Sequence, residues 1–245
     1  MSIERLKTIM ARLRDPETGC EWDRVQTHRS IARYAIEEAY EVVDAIERDD
    51  MEELADELGD LQLQVVFHAR MAEERGDFDF DDVIERISDK MERRHPHLFG
   101  DDPGSGHHRW EEIKAAERAE KDDQSALAGV ALALPALERA QKLQKRAART
   151  GFDWPDASGA RAKIDEELAE LAEARDDTHR EEELGDLLFA VVNLARFLKI
   201  DAEDALRKAT HKFERRFRSI ERAPGFAGMD LDEKEELWRA AKDRE

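Results

Sequence analysis

Acidic residues at helical spacing are the clearest sign of chemistry in this sequence, because paired carboxylates can hold a divalent cation. In the second half of the chain, Glu167 and Glu170 form one pair, and Glu183 and Asp186 form another. Residues three apart share one face of a helix, so the members of each pair project together. The short segment between the pairs predicts two antiparallel helices that bring all four carboxylates to one place.

Four unpaired carboxylates at one place repel one another, and a hard divalent cation among them relieves that repulsion. All-oxygen ligation favours Mg²⁺ or its substitute Mn²⁺ over zinc, which prefers histidine and cysteine. The first half of the chain repeats the pattern with Glu38, Glu41, Glu57 and Asp60. In a chain with 60 acidic residues an isolated pair would merely face water. Matched pairs that border apolar runs and occur twice favour metal ligands.

Gly59 and Gly185 each stand between the two carboxylates of the later pair in their half. Glycine inside a helix costs about 1 kcal/mol relative to alanine. We therefore expect a neighbouring helix or a ligand to approach closely at both positions.

Basic and aromatic residues follow the acidic pairs. Lys212 and Arg216 lie one helical turn apart and would hold phosphate oxygens, the arginine bidentately. Trp238 and Lys242 have the same spacing, and an indole offers a flat face on which a base can stack. The first-half counterparts are Lys90, Arg94, Trp110 and Lys114. A solvated basic stripe and a core tryptophan are the alternatives.

These corresponding residues belong to a repeat, whose segments occur in the same order in both halves of the chain. The segments TGCEWD, DELGDL, SDKMERR and RWEEIKAAE of the first half return as TGFDWP, EELGDL, THKFERR and LWRAAKDRE. The sequence therefore predicts a duplicated module, with one copy at residues 1–122, a linker at 123–135 and the second copy at 136–245.

Helical periodicity dominates both copies, and no run alternates with period two between turn residues. Each module is therefore predicted to be all-α, with four or five helices. The predicted helices span residues 30–48, 51–75, 80–94, 180–199 and 202–221, and another should begin after Gly159.

Charge and cysteine content restrict the partners and the compartment. The 245-residue chain carries a formal net charge of −20, so it lacks the basic character of a nucleic-acid binder. Cys20 is its single cysteine, which excludes an internal disulfide and fits a reducing compartment. No apolar run is long enough to span a membrane. We expect a cytoplasmic protein that binds neither nucleic acid nor membrane.

Two other kinds of metal site fit the sequence less well than the carboxylate clusters. His95, His97, His107 and His108 cluster in a Pro/Gly-rich segment, where zinc is conceivable but a plain loop is favoured. A di-iron bundle would require Glu-x-x-His pairs on facing helices, and His68 and His179 are not placed in that way.

Together the motifs resemble the MazG family of nucleoside triphosphate pyrophosphohydrolases, in its two-domain form. The resemblance lies in EExxE, [DE]ExxD, KxxxR and WxxxK, and in the segments LRDPETGCEWDRVQTH and RRHPHLFG. It implies an all-α homodimer that uses Mg²⁺ to hydrolyse NTPs or dNTPs to the monophosphate and pyrophosphate, with low base specificity, in nucleotide-pool housecleaning. It also implies metal ligation by both carboxylate sets, a phosphate clamp at Lys212 and Arg216, and a nucleotide pocket completed by Trp238 and Lys242. Thr210 stands where the family has asparagine, so a sugar or phosphate contact there would come from a hydroxyl.

The mechanism expected from the sequence is water attack on the α-phosphorus, with the proton taken by Glu166 or Glu182. Lys212 and Arg216 would neutralise charge on the departing pyrophosphate. The alternative is that one or both modules are non-catalytic nucleotide-binding, regulatory or dimerisation modules. If only one copy is active, the second has the fuller set of motifs.

Overall fold

The computed structural model describes residues 3–100 and 125–244. The chain divides into two compact units, residues 1–114 and 115–245. Within the described ranges every regular element is a helix and there is no strand. This confirms the predicted all-α class and the two tandem modules. Among these helices none has both the length and the apolar character needed to cross a membrane.

The first unit is built around a hairpin of two long helices. In chain order its described helices are α1 (Ile3–Leu13), α2 (Glu21–Arg24), α3 (His28–Glu47), α4 (Met51–Arg75), α5 (Phe80–Arg94) and α6 (Pro96–Phe99). Helix α4 packs on α1, α3 and α5, so it is the centre of the unit. Met10, Ile31, Val66 and Phe67 are buried together at this centre, where removing their apolar surface from water stabilises the unit.

The second unit repeats the hairpin. Its described helices are α7 (Ala136–Arg149), α8 (Ala157–Glu173), α9 (Asp177–Phe197), α10 (Ala202–Ile220) and α11 (Leu231–Lys242). Helices α8 and α9 pack along each other, and α7 packs against both α9 and α10. Helix α11 packs on α10. The α8–α9 hairpin is the counterpart of α3–α4, and these two hairpins carry the predicted carboxylates.

Local signals explain why the helices begin and end where they do. Asp50 caps α4 by accepting a hydrogen bond from the Glu53 backbone N–H, and Gly76 ends the helix in the left-handed region at φ 73°. Asp79 begins α5 with a capping box. The predicted helices at about residues 51–75 and 80–94 are confirmed.

The predicted start of one helix is wrong, and so is one of the two explanations expected for Gly59 and Gly185, while the approach of a ligand there stays a prediction. Helix α8 begins at Ala157, before Gly159, because the Asp156 side chain accepts a hydrogen bond from the Ser158 backbone N–H. Gly59 and Gly185 do not make room for a neighbouring helix of the same unit, since an added Cβ would meet no described atom within 4 Å at either position.

Candidate active site

Three carboxylates of the second unit meet across the α8–α9 hairpin. Glu167 and Glu170 lie on α8 and Glu183 lies on α9, and each places a carboxylate oxygen within 4.8 Å of the others. Glu167 is buried, with 2% of its surface exposed. The structure thus brings together three of the four carboxylates that the sequence predicts at this site.

The fourth carboxylate, Asp186, lies one helical turn after Glu183. Asp186 and Glu167 both line a cavity of about 650 Å³ in the second unit. The remaining wall is mostly apolar and aromatic and includes Phe152 and Trp154. The volume lies within the range of small-molecule sites, roughly 300–1,000 Å³. The carboxylates therefore border a space of the size that a nucleotide needs.

Two basic side chains pair with this cluster, and sequence reasoning missed both. Lys163 lies 2.6 Å from Glu167 and 2.7 Å from Glu166, one turn along α8. His179 Nε2 lies 2.9 Å from Glu183 Oε1. Because both partners sit four residues before a predicted ligand, the i, i+4 rule was the signal that could have found them.

Burial and neighbouring negative charges both raise the pKa of a carboxyl group in this cluster. Desolvation, followed by the charges of Glu167 and Glu183, raises the pKa of Glu170. Hydrogen bonds to Glu166 and then Glu167 raise the pKa of Lys163. Carboxylate repulsion of this kind is relieved when a cation binds among the oxygens.

The first unit holds the corresponding cluster. Glu38 and Glu41 on α3 and Glu57 on α4 place oxygens within 4.8 Å of one another. Desolvation raises the pKa of both Glu38 and Glu57, and the charge of Asp60 raises both further. Asp60 therefore lies close to the cluster. Gln64, on the next turns of α4, donates a hydrogen bond to Glu38 over 3.4 Å.

What surrounds the cluster differs between the copies. Tyr34 stands four residues before Glu38, where the second unit has Lys163 before Glu167. Ten residues after the glutamate on α4 or α9 the first unit has Phe67 and the second has Asn193. In the first unit the Trp22 ring packs 6.2 Å from Tyr34 and 6.4 Å from Phe67.

The first unit thus has aromatic rings, Tyr34 and Phe67, at two positions where the second unit has the cavity-lining Lys163 and Asn193. Phe67 is buried, with 4% exposure, whereas Asn193, Trp154 and Lys163 all face the cavity. The copies share a carboxylate cluster but differ in the space beside it.

The predicted basic helix is α10, and it packs on α11. Lys212 is exposed, and the Arg216 guanidinium lies 5.8 Å above the Trp238 ring. Trp238 also packs 5.2 Å from Phe213. Thr210 donates its hydroxyl hydrogen to the Leu206 carbonyl of the same helix. The described residues that line the cavity include none of these predicted nucleotide-binding residues, nor the exposed Lys242.

In the first unit Lys90 and Arg94 lie half-buried at the end of α5. Trp110 and Lys114 are outside the residues that the structure describes, as are His107 and His108. His95 bonds through Nδ1 to the Met91 carbonyl oxygen.

The donor set fits a hard divalent cation. It consists of carboxylate oxygens on two packed helices, one of them buried, with mutual repulsion that a cation would offset. Lys163 and His179 contact Glu167 and Glu183 through Oε1 of each carboxylate, which leaves the second oxygen of each as a possible ligand.

Comparison with known proteins adds to this geometry. The MazG nucleotide pyrophosphohydrolase domain matches residues 26–99 and again residues 159–220, so each match contains one helical hairpin with its carboxylate cluster. The chain belongs to the MazG family.

Two bacterial relatives match almost from end to end. The nucleoside triphosphate pyrophosphohydrolase of Escherichia coli K12 is 54% identical over 257 residues, covering 99% of this chain and 98% of the relative. The nucleoside triphosphate pyrophosphohydrolase/pyrophosphatase MazG of Thermotoga maritima is 49% identical over 244 residues, covering 98% and 95%. A Mycobacterium tuberculosis protein, also called nucleoside triphosphate pyrophosphohydrolase, is 32% identical over 239 residues and is matched over 63% of its length.

Proposed function

We propose that this MazG protein hydrolyses nucleoside triphosphates, with ribose or deoxyribose, between the α- and β-phosphates, releasing the monophosphate and pyrophosphate. One observation carries the proposal: Glu167, Glu170 and Glu183 bring oxygens within 4.8 Å of one another beside a cavity of nucleotide size. The names of its E. coli and T. maritima relatives support this activity. Low base specificity and a housecleaning role remain predictions.

Glu167, Glu170, Glu183 and Asp186 would hold the metal, for which Mg²⁺ is the best candidate and Mn²⁺ the substitute. When bound, such a cation supplies Lewis-acid polarisation of phosphate oxygens and a lowered pKa of water. The chain itself fixes the ligands, because α8 and α9 pack along each other and hold the carboxylates across the hairpin.

The proton of the attacking water needs an acceptor within reach of the α-phosphate. Glu166 and Glu182 are exposed neighbours of the buried or half-buried ligands Glu167 and Glu183, and both remain candidates. Lys163 fixes the position of Glu166 through its 2.7 Å ion pair. A carboxylate in either place can take the proton as a general base.

Lys212 and Arg216 are proposed to neutralise the departing pyrophosphate. Both lie on α10, whose neighbours α7 and α9 also contribute to the cavity wall. Positive charge at that point stabilises the transition state, where negative charge develops on the leaving group.

We assign turnover to the second unit and a structural or regulatory role to the first. The reason is physical: Tyr34 and Phe67 pack against Trp22 at positions where the second unit has Lys163 and Asn193 in its cavity wall. The first cluster of Glu38, Glu41, Glu57 and Asp60 would still hold a cation, but with less space for a nucleotide. Under this assignment the predicted nucleotide contacts of the first unit have no catalytic role; they are Lys90, Arg94, Trp110 and Lys114.

The homodimer is proposed from the family resemblance and from apolar side chains that α9 leaves uncovered in a single chain. Leu184, Leu188 and Val191 are 48%, 50% and 46% exposed. Apolar surface of this kind marks a protein interface more often than free surface. A cytoplasmic location rests on the single cysteine and is likewise a proposal.

The test is a Mg²⁺ titration of turnover for two matched variants, Glu183→Gln and Glu57→Gln. We expect Glu183→Gln to lower kcat by at least about 100-fold, because a metal ligand and its charge are lost together. Glu57→Gln should stay within about twofold of the unaltered protein. Normal turnover by Glu183→Gln would refute the metal assignment, and equal losses in both variants would refute a single active unit.

A further inference from the structure

The two carboxylate clusters differ in the basic side chains that accompany them. In the second unit Lys163 pairs with Glu167, and His179 pairs with Glu183. Among the residues that the structure describes, no lysine, arginine or histidine forms an ion pair with a carboxylate of the first cluster. The first cluster therefore combines the same crowding of carboxylates with less internal positive charge.

Replacements at two corresponding positions explain this difference. Tyr34 stands where the second unit has Lys163, and Glu53 stands where it has His179. The Glu53 carboxylate pairs with Arg48 over 2.7 Å, so it brings no positive charge to the cluster. A cation from solution is therefore what would offset the repulsion among the carboxylates of the first unit.

A buried amide beside the first cluster has an oxygen without a partner. Gln64 is only 8% exposed and donates from Nε2 to Glu38 Oε1 over 3.4 Å. Its own Oε1 is buried and accepts no hydrogen bond within the part of the chain that the structure describes. Such an acceptor is unfavourable, and folded proteins satisfy nearly all of them. The amide therefore indicates a ligand beside Glu38.

A half-turn of the terminal torsion of Gln64 brings this oxygen to the cluster. The turn exchanges Oε1 with Nε2, and it costs little because that torsion is broad and the bond to Glu38 is long. Oε1 would then lie where Nε2 lies now, 3.4 Å from Glu38 Oε1. Two oxygens that bind one Ca²⁺ at about 2.4 Å and at a right angle are about 3.4 Å apart, whereas around Mg²⁺ they are about 3.0 Å apart.

The second unit has no amide at the corresponding position. Gln64 comes seven residues after Glu57, and the residue seven after Glu183 is Ala190. Ala190 is buried and lines the cavity of the second unit. An additional oxygen ligand on this turn of the hairpin therefore belongs to the first unit alone.

We propose that the first unit binds a resident, non-catalytic Ca²⁺, held by its carboxylate cluster and by Oε1 of Gln64. Ca²⁺ takes about six to eight oxygen ligands, amide oxygens among them, whereas Mg²⁺ keeps several waters and uses one or two carboxylates. The ion joins α3 to α4 and needs no nucleotide for its binding. It lies in the unit to which we assign no turnover, so its presence does not depend on the proposed hydrolase function.

Calorimetric titration of the metal-free full chain with Ca²⁺ alone, without nucleotide, tests this proposal. We expect one tight site and, at higher Ca²⁺ concentration, a weaker one. Glu57→Gln should abolish the tight site, and Glu183→Gln should change only the weaker one. Gln64→Leu should weaken the tight site by at least about tenfold, because one oxygen ligand is lost. Gln64→Glu keeps an oxygen at that place and should bind Ca²⁺ at least as tightly as the unaltered protein.

Urea denaturation with Ca²⁺ and with EDTA separates metal ligation from packing. Ca²⁺ should raise the denaturation midpoint of the unaltered protein, because an ion that binds only the folded state stabilises it. Gln64→Leu should reduce that shift. The matched control is Gln141→Leu, since Gln141 is also buried but is bonded at both ends, to the Ile200 carbonyl and the Ala202 N–H. This control should leave the shift caused by Ca²⁺ unchanged.

The proposal is overturned if Glu183→Gln removes the tightest Ca²⁺ site, or if Gln64→Leu binds Ca²⁺ as tightly as the unaltered protein. Tighter binding of Mg²⁺ than of Ca²⁺ at the first cluster would also overturn it. Turnover with Mg²⁺ is measured separately. An intact Ca²⁺ site without hydrolysis would refute the proposed function alone, and normal hydrolysis without a tight Ca²⁺ site would refute the resident ion alone.

Discussion

At the scale of single residues, sequence spacing located the carboxylates but not the polar side chains that line the cavity beside them. Glu167, Glu170 and Glu183 follow from the three-residue rule on two helices. Asn193 and Gln144 could not be placed in this way, since the cavity that they line is formed by several elements. The same holds for Arg196, whose partner Asp153 lies 43 residues away.

The Asp153–Arg196 ion pair gives a prediction with a defined pH window. Hydrogen bonding to Arg196 lowers the pKa of Asp153 below its ordinary value of 3.8. A lowered pKa means that the pair contributes stability above about pH 4, and the contribution is lost as the pH falls through the folded-state value. Asp153→Asn should therefore lower the free energy of unfolding by about 2 kcal/mol at pH 7, and by much less near pH 3, in urea denaturation.

The control for this pair is Glu235→Gln, which removes an exposed ion pair with Arg239. Exposed pairs of this kind contribute about 0–1 kcal/mol. An equal loss of stability at both pH values in Asp153→Asn would contradict the ionic origin of the contribution.

At the scale of elements, the sequence predicted best those helices whose ends carry strong local signals. Helices α4 and α5 have an aspartate cap at the start, and α4 ends at a left-handed glycine. The start of α8 was misplaced because Gly159 looks like a helix boundary. Its conformational freedom is used instead for contact with Trp154, and a tertiary contact of that kind leaves no trace in periodicity.

Helices α9 and α4 begin with the same kind of aspartate cap. Removing each cap in turn separates the effect of α9 on the metal site from its effect on stability. Asp176 caps α9 by accepting from the His179 backbone N–H over 2.9 Å, as Asp50 caps α4. Asp176→Ala and Asp50→Ala should each lower the free energy of unfolding by about 1 kcal/mol. Only Asp176→Ala should raise the Mg²⁺ concentration needed for half-maximal turnover, since α9 carries Glu183 and Asp186. Equal Mg²⁺ requirements in the two variants would count against this placement of the site.

At the scale of the whole molecule, the two repeated units share a fold but differ in the side chains beside the carboxylate cluster. Both units keep a helical hairpin with three carboxylates across it. The first has aromatic rings beside them, and the second has amides, a lysine and a cavity. The repeat itself was visible in the sequence. The difference in function between the copies depends on which side chains pack together, and the motifs alone do not show that.

A histidine pair predicts a response to acid that is specific to the first unit. His28 and His68 stack with ring planes 5° apart, and their Nδ1 atoms lie 2.9 Å apart. Burial, followed by the charge of His28, lowers the pKa of His68 from its ordinary value of 6.5. The stability that depends on neutral His68 is therefore complete above about pH 6.5 and is lost as the pH falls through the lowered value.

Hydrogen exchange at pH 7.5 and pH 5.5 can measure this response unit by unit. Amides of α4 should lose protection on acidification more than those of α9, where Leu194 takes the place of His68. His68→Leu should make the two helices respond alike. Equal loss in both helices of the unaltered protein would show that the histidine pair is not responsible.

The central claim is hydrolysis at the α-phosphorus, and ³¹P NMR of the products formed in H₂¹⁸O with Mg²⁺ tests it most directly. A mixture of NTPs and dNTPs should yield pyrophosphate and monophosphates, with ¹⁸O in the monophosphate and none in the pyrophosphate. That labelling follows from water attack on the α-phosphorus. Orthophosphate with nucleoside diphosphates, or ¹⁸O in the pyrophosphate, would contradict the account.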